Sequence, residues 1–327
     1  MRIHRARLTA MKSFLLTLVL LAGYTPFAAA QDDHSAAPMG MSDKHSAGWA
    51  EAMKLKGPPL PPKFPAVGKE IERVVLDNGM IVYLQEDHRL PLMDAVALVR
   101  TGSYYESPDE LRTASLVGEM LRRGGTTTYK PDQLEEKLDF LVANLNVSMG
   151  QEQCSASINV LQKDAAEGLK LLSDVLRNPA FDAERLELAK RQTIFNLRSS
   201  NDSPGPILRR EFARLLYTEA HPSGRTPTFE RIQKITRDDL VKFHQKYFHP
   251  NQLMLGITGD FKKAEMLQLV KDVFGGWQKS DVKLPPLPKV SAQPKPGLYY
   301  VSKASNQSHF YLGHWGVNRS EEHTSEL

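Results

Sequence analysis

The chain has 327 residues, of which 41% are apolar and 24% are charged. This balance is typical of a globular protein and excludes a glycine-dominated or cysteine-dominated chain, and the length allows two domains. The formal net charge of +4 comes entirely from residues 1–30, which hold four basic residues and no acidic ones. Without that segment the chain is neutral, so we expect no nucleic-acid partner.

The first 30 residues have the order of a secretory signal peptide. A basic segment precedes an apolar run at residues 13–22, and Ala28-Ala29-Ala30 offers a cleavage site. The apolar run is too short to span a bilayer, which needs about 20 residues. We therefore predict export to the periplasm, cleavage after Ala30 and no membrane span in the mature chain. The start site is open between Met1 and Met11.

Residues 31–69 are rich in proline and lack a sustained hydrophobic period, which predicts a disordered linker. Beyond Ile71, alternating apolar residues indicate strands and apolar spacings of three and four indicate helices. Asn78-Gly79 between two apolar runs indicates a β-hairpin. The predicted strands lie at residues 80–84, 95–99, 145–149, 154–160 and 253–258. The predicted helices lie at residues 108–123, 131–143, 165–176, 181–200, 205–217, 236–247 and 263–274.

Strands and helices come in groups rather than in strict alternation, which predicts an α+β fold with helices packed on a sheet. We assign the first domain to residues 70–283 and a Pro-rich linker to residues 284–296. Two short strands within residues 297–313 predict the start of a second unit, which we assign to residues 297–318. The single cysteine, Cys154, excludes an internal disulfide, and its alternating surroundings predict a buried strand thiol.

Several short motifs follow one another in a fixed order along residues 71–316. They are Leu76-x-Asn78-Gly79, Gly102-Ser103-x-x-Glu106, Gly124-Gly125-Thr126, His221-Pro222-x-Gly224-Arg225, Tyr247-x-x-Pro250 and Gly259-Asp260. Each motif is weak alone, but their order and spacing resemble the insulinase family of zinc peptidases, which includes pitrilysin and the mitochondrial processing peptidases. The resemblance implies a repeated α+β unit, with a mainly antiparallel sheet and helices packed on it.

This resemblance also implies that the chain holds one family unit and only the start of another. Residues 319–327 read R-S-E-E-H-T-S-E-L, which resembles translated sequencing-adapter read-through rather than native protein. We therefore expect the natural protein to continue beyond Asn318. The family residues that help to hold substrate, an Arg and a Tyr of the second unit, would lie in that continuation.

Active members of the family carry the inverted zinc motif H-x-x-E-H on the helix that matches residues 108–123. Two His four residues apart grip Zn²⁺ from one helical face, and the Glu acts as general base on the zinc-bound water. Here Ser115 replaces the first His, Gly118 replaces the base and Glu119 replaces the second His. The position of the distant ligand Glu falls on Asn196. The resemblance therefore implies no catalytic, metal or cofactor-binding residue in this chain.

Ser115 and three histidines could in principle carry other chemistry, but the sequence favours structural roles for them. Ser115 is a candidate nucleophile, but no nearby His in the sequence would activate it, which favours an ordinary helix serine. His244 and His249 lie five residues apart, a spacing that does not place both on one helical face. For His221 we favour a structural role in a turn over catalysis.

The family resemblance implies three functional hypotheses. The leading one is an exported non-catalytic subunit, which pairs with a zinc-bearing insulinase-family partner in a heterodimer that degrades peptides or unfolded proteins. The second is a peptide-binding or scaffold protein that acts alone. The third is an active zinc metalloendopeptidase with unusual ligands.

Overall fold

The computed structural model describes residues 3–5, 65–286, 289–290, 295–303 and 307–313. These residues form two compact units. The smaller unit pairs strand β1 (Ile3–Arg5) with strand β8 (Tyr299–Val301) in an antiparallel ribbon. The larger unit holds the six-stranded sheet and the helices. Among the described residues, no helix combines the length and apolar character needed to cross a membrane.

The large sheet has the strand order β2-β3-β7-β4-β6-β5. Strands β3 and β7 are parallel, and every other neighbouring pair is antiparallel. The predicted α+β class with a mainly antiparallel sheet is confirmed for this unit. Its strands are β2 (Glu72–Val75), β3 (Ile81–Glu86), β4 (Leu92–Val99), β5 (Asn144–Met149), β6 (Cys154–Leu161) and β7 (Leu253–Gly259).

Eight α-helices accompany the sheet in the described part of the chain. They are α1 (Thr113–Arg123), α2 (Pro131–Phe140), α3 (Ala165–Arg177), α4 (Ala183–Ser199), α5 (Pro204–Tyr217), α6 (Phe229–Lys234), α7 (Arg237–Tyr247) and α8 (Lys263–Phe274). Helices α1, α3 and α8 contact strands β5, β6 and β3.

One face of the sheet is covered by helices, and the other is more polar. Alternate residues of β6, from Cys154 to Val160, are buried, as strand geometry requires for one covered face. On the opposite face the exposed Asp94 carboxylate accepts a hydrogen bond from the Asn159 amide at 2.7 Å. Burial raises the pKa of the Cys154 thiol to about 12, which confirms the predicted buried strand thiol.

The predicted helix over residues 108–123 was wrong at its start. Pro108–Glu110 forms a separate 3₁₀ turn, and helix α1 begins only at Thr113. The break lies at Arg112, whose backbone is left-handed (φ 77°) and cannot continue a right-handed helix. The spacing of the apolar residues cannot reveal the conformation of one backbone residue, so it did not predict the break at Arg112.

Two further differences concern short elements. Helix α6 was not predicted, because its six residues are too few to show a helical period. Of the two short strands expected within residues 297–313, β8 is the one found among the described residues 297–303 and 307–313, and residues 307–313 have no regular structure. Residues 6–64 and 314–327 lie outside the described residues. Those ranges contain most of the predicted signal peptide and linker and the whole predicted tail, and the domain boundaries stay predictions.

His244 is part of the core between helices α3 and α7. Its Nε2 lies 2.8 Å from the carbonyl oxygen of Leu176, and its ring packs between Phe181 and Phe248. Burial lowers the pKa of His244 to about 4. Burial also lowers the pKa of His249. These contacts show His244 packed as a neutral core residue.

We expect His244 to make the protein less stable on acidification. The unfolded state binds a proton at this residue below about pH 6.5, whereas the folded state does so only near pH 4. The free energy of unfolding therefore falls as the pH drops through this window, by up to about 3 kcal/mol. The variant His244→Gln keeps a donor for Leu176 and removes the titration. Urea unfolding at several pH values should show a flatter dependence, and an unchanged slope would contradict the assignment.

Candidate functional site

A buried carboxylate fixes the start of helix α1. Glu106 lies before the helix, and its two carboxylate oxygens accept hydrogen bonds from the backbone N–H groups of Ala114 (2.6 Å) and Arg112 (3.3 Å). The first turn of a helix has N–H groups without partners, and the helix dipole favours negative charge there. Burial nevertheless raises the pKa of Glu106 to about 7, although the hydrogen bonds from the two N–H donors act to lower it.

Residues far along the chain hold the segment that carries Glu106. The Arg225 guanidinium donates to the carbonyl oxygen of Glu106 at 3.0 Å, and it also donates to the carbonyls of Glu219 and Ala220. The buried Tyr247 hydroxyl donates to the carbonyl of Tyr105 at 3.1 Å. Two of the family-like motifs, those that contain Arg225 and Tyr247, thus contact the same stretch of backbone before helix α1 and help to position the helix.

His221 belongs to the same arrangement, where it stabilises a turn. Its Nδ1 accepts a hydrogen bond from the N–H of Ser223 at 3.2 Å, and its ring stacks on Tyr217. The Ser223 hydroxyl lies 2.9 Å from the hydroxyl of Tyr104, on the same segment as Glu106. The predicted structural role of His221 in a turn is confirmed.

Helix α1 carries Ser115, Gly118 and Glu119, the residues that the family resemblance assigns to the three motif positions. Gly118 is buried, and it packs directly on strand β5. A Cβ atom added at Gly118 would lie 2.5 Å from the Cβ of Met149, closer than real Cβ atoms approach. Helix α1 therefore has no room for a side chain at Gly118, the residue that the family resemblance places at the general-base position.

Glu119 and Asn196 are both engaged with neighbours on their own helices. Glu119 forms a loose ion pair with Arg123 at 3.4 Å. Asn196 is exposed on helix α4, and its Oδ1 accepts a hydrogen bond from Gln192 at 2.9 Å. Ser115 is partly buried, and in the described part of the chain no histidine is hydrogen-bonded to it. No nucleophile–base pair is therefore assembled at Ser115.

A cavity of about 390 Å³ lies between helices α1 and α4. Its lining includes Glu119 of α1 and Gln192 of α4, together with the apolar residues Met120, Leu188 and Ala189. Gln192, one turn before Asn196, was not identified from the sequence, because no motif marks it. The Glu119 carboxylate and the Gln192 amide therefore line the same cavity.

The residues at the predicted motif positions are not a ligand set that suits zinc. Zn²⁺ in proteins is held by thiolates, imidazoles and carboxylates, in catalytic sites by three such ligands. The motif positions offer one carboxylate, one hydroxyl, one amide and a glycine. Across the residues that the structure describes, no group of three His, Cys, Asp or Glu side chains is placed to hold a metal ion.

Comparison with known proteins gives the family. The model described as "Insulinase (Peptidase family M16)" matches residues 82–222, and the model described as "Peptidase M16 inactive domain" matches residues 234–327. The two matches together cover more than half of the chain. The chain belongs to the insulinase family. The second match starts at the last residue of helix α6, inside the unit that holds the sheet.

Curated relatives are distant and longer. An uncharacterized zinc protease of Rickettsia felis is 23% identical over 63% of this chain and 50% of its own length. The β subunit of the mitochondrial-processing peptidase of Dictyostelium discoideum is 22% identical over 68% of this chain and 47% of its own length. The chain therefore spans about half the length of these relatives.

Solved structures share the fold. The periplasmic protease PqqL from Escherichia coli superposes with a TM-score of 0.59 at 18% identity, over 67% of this chain and 25% of PqqL. At this identity the similarity establishes the fold of the insulinase-family unit. Function has to be argued from the residues at the motif positions.

We expect Gly118→Ala to destabilise the protein by about 1–3 kcal/mol, because the new methyl group meets Met149 in a packed interior. Chemical denaturation measures the change. The matched control is Gly205→Ala, since Gly205 also lies on a helix but has open space at its Cβ position. That control should be neutral or slightly stabilising, and equal losses in the two variants would contradict the close approach.

We expect the ionisation of Glu106 to change the free energy of unfolding with pH in the direction opposite to that of His244. The folded state holds the Glu106 proton more tightly than the unfolded state between about pH 4.5 and pH 7. The free energy of unfolding therefore falls as the pH rises through this window, by up to about 3 kcal/mol. The variant Glu106→Gln should remove this fall in urea-unfolding experiments, and a variant that keeps it would contradict the assignment.

Proposed function

We propose that this insulinase-family protein is an exported, non-catalytic subunit that pairs with a zinc-bearing family member in the proteolysis of peptides or unfolded proteins. The single observation that carries the proposal is the contact between Gly118 and Met149. Gly118 is the residue that the family resemblance assigns to the general base, and the packing of helix α1 on strand β5 leaves no room for a side chain there. The scaffold that positions the helix is intact, because Glu106, Arg225 and Tyr247 keep their contacts.

Relatives support a division of labour between two chains. The Dictyostelium relative is named as one subunit of a processing peptidase. A relative in cattle is named as subunit 1 of the cytochrome b-c1 complex, and it is 23% identical over 62% of this chain. Family members therefore include proteins named as parts of larger assemblies, and a member without zinc ligands suits the role of a supporting subunit.

Export to the periplasm is part of the proposal. It is supported by the order of basic, apolar and small residues within residues 1–30. The structural relative PqqL is described as a periplasmic protease. Fractionation of the cells that make the protein, with mass spectrometry of its N-terminus, tests both the compartment and the cleavage after Ala30.

We expect the purified protein alone to hold no stoichiometric zinc and to cut no peptide. Co-expression with a zinc-bearing insulinase-family protein of the same organism should yield a stable complex, with peptidase activity that chelation abolishes. Glu119→Ala in this chain should leave the activity of the complex unchanged, because Arg123 is the one ion-pair partner of this carboxylate among the residues that the structure describes. Substitution of the partner's zinc-binding His residues should abolish activity.

Two outcomes would contradict the proposal in different ways. Stoichiometric zinc with chelator-sensitive activity in this chain alone would identify an active enzyme with unusual ligands. Failure to bind any zinc-bearing family member would favour a scaffold or peptide-binding protein that acts alone.

A further inference from the structure

A short connection closes one end of the large sheet. Strand β7 lies between β3 and β4, so the chain that joins β3 to β4 has to cross the end of β7. Residues 87–91 form this connection, which we call the strap. Gly259, the last residue of β7, pairs with Glu86 of β3 on one side and with Met93 of β4 on the other. The strap therefore spans two strand spacings, about 9–10 Å.

Backbone hydrogen bonds hold the strap close to the end of β7. The N–H of Asp87 donates to the carbonyl oxygen of Gly259 at 2.7 Å, and the N–H of Asp260 donates to the carbonyl oxygen of Leu92 at 2.9 Å. A Cβ atom added at Gly259 would lie 2.1 Å from the Leu92 carbonyl oxygen, so the close approach requires glycine. The N–H of Asp87 loses its acceptor when the strap opens.

His88 adds a side-chain contact across the end of the sheet. Its Nδ1 lies 2.6 Å from Oδ1 of Asp260, the residue after β7, and its Nε2 lies 4.0 Å from the Glu86 carboxylate at the end of β3. The imidazole is thus placed between two carboxylates. A neutral imidazole has one N–H donor, whereas the imidazolium has two donors and a positive charge. The protonated form is therefore the form that suits this position.

The other charged groups near the strap have their own partners. These pairs are Asp87 with Arg89, Lys262 with Glu265, and Lys263 with the carbonyl oxygen of Glu70. Among the described residues, His88 is the one side chain that forms an ion pair with Asp260 or Glu86. The hydrogen bond to Asp260, with the charges of Asp260 and Glu86, raises the pKa of His88.

We propose that His88 is a proton-dependent latch that holds the strap closed over the end of β7. The imidazolium attracts both Asp260 and Glu86. When it loses its proton, it keeps one donor for Asp260 but no charge, so both contacts weaken. The strap then opens more often, at the end of β4 opposite to the segment of Glu106. This proposal does not depend on the proposed function.

The sign of the pH effect follows from the raised pKa of His88. The latch stabilises the closed strap below about pH 6.5, and this contribution is lost as the pH rises through the pKa of the folded state. The Glu86 carboxylate also accepts a hydrogen bond from the N–H of Lys263 at 2.6 Å, at the start of helix α8. That bond does not involve His88 and persists in both protonation states.

Residue-resolved hydrogen exchange, measured by NMR on the whole chain, tests the proposal. After correction for the intrinsic rates, the protection factor of the Asp87 N–H should fall about two- to fivefold between about pH 5.5 and pH 8.5, as loss of an exposed ion pair allows. His88→Gln keeps a donor for Asp260 and removes the charge. In this variant the protection factor should be low already at the lower pH and should not change further.

Two further variants separate the latch from general effects of surface charge. Asp260→Asn should lower the pKa of His88 towards its ordinary value, which a titration of the imidazole signals by NMR measures directly. Arg89→Gln removes a cation of the strap that pairs with Asp87, and it should keep the pH dependence of the wild type.

Two results would overturn the proposal. If His88 titrates at the same pH in the wild type and in Asp260→Asn, the carboxylate does not hold the proton on the imidazole. If the Asp87 protection factor changes equally with pH in the wild type and in His88→Gln, another group controls the strap. His88→Gln changes an exposed residue, so the second test stands even where Asp260→Asn fails to fold.

Discussion

The hydrogen bonds from the first turn of helix α1 to the Glu106 carboxylate are the constraint on which the candidate site depends. A helix that begins in the protein interior must find partners for its free N–H groups, and a carboxylate supplies two acceptor atoms at once. The supporting contacts of Arg225 and Tyr247 both reach backbone carbonyls of the same segment. Because these contacts are made to backbone atoms, they position helix α1 independently of the side chains that the helix carries.

The contacts that position helix α1 are therefore independent of the side chains at the predicted motif positions. The parts that orient helix α1 lie at its N-terminal end and beneath it, whereas Ser115 and Glu119 lie on its partly exposed side. Changing those side chains costs little folding energy, since the helix is held elsewhere. The cavity between α1 and α4 is lined by Glu119 and Gln192 but by no histidine or cysteine, so its lining does not offer the ligand set of a zinc site.

Much of this architecture could be predicted from the sequence. The alternation of apolar residues located every strand of the large sheet except β2, which was not predicted as a separate strand. The departures from the family's zinc motif were also visible in the sequence, at Ser115, Gly118 and Glu119. The role of Glu106 was not visible, because a helix cap that acts from seven residues before the helix has no local pattern. The contact between Gly118 and Met149 also depends on the packing of two elements, which no single stretch of sequence specifies.

The position of β7 in the sheet has a consequence for the order of folding. β7 is the last strand of the sheet to be synthesised, yet it lies between β3 and β4. Until residues 253–259 are available, the sheet can exist only as two separate pieces, β2-β3 and β4-β6-β5, with no hydrogen bonds between them. Closure of the sheet therefore waits for most of the unit to leave the ribosome, as expected for a topology dominated by long-range contacts. A nascent chain interrupted before that point would expose two unpaired inner strand edges at once, which makes it a ready substrate for chaperones.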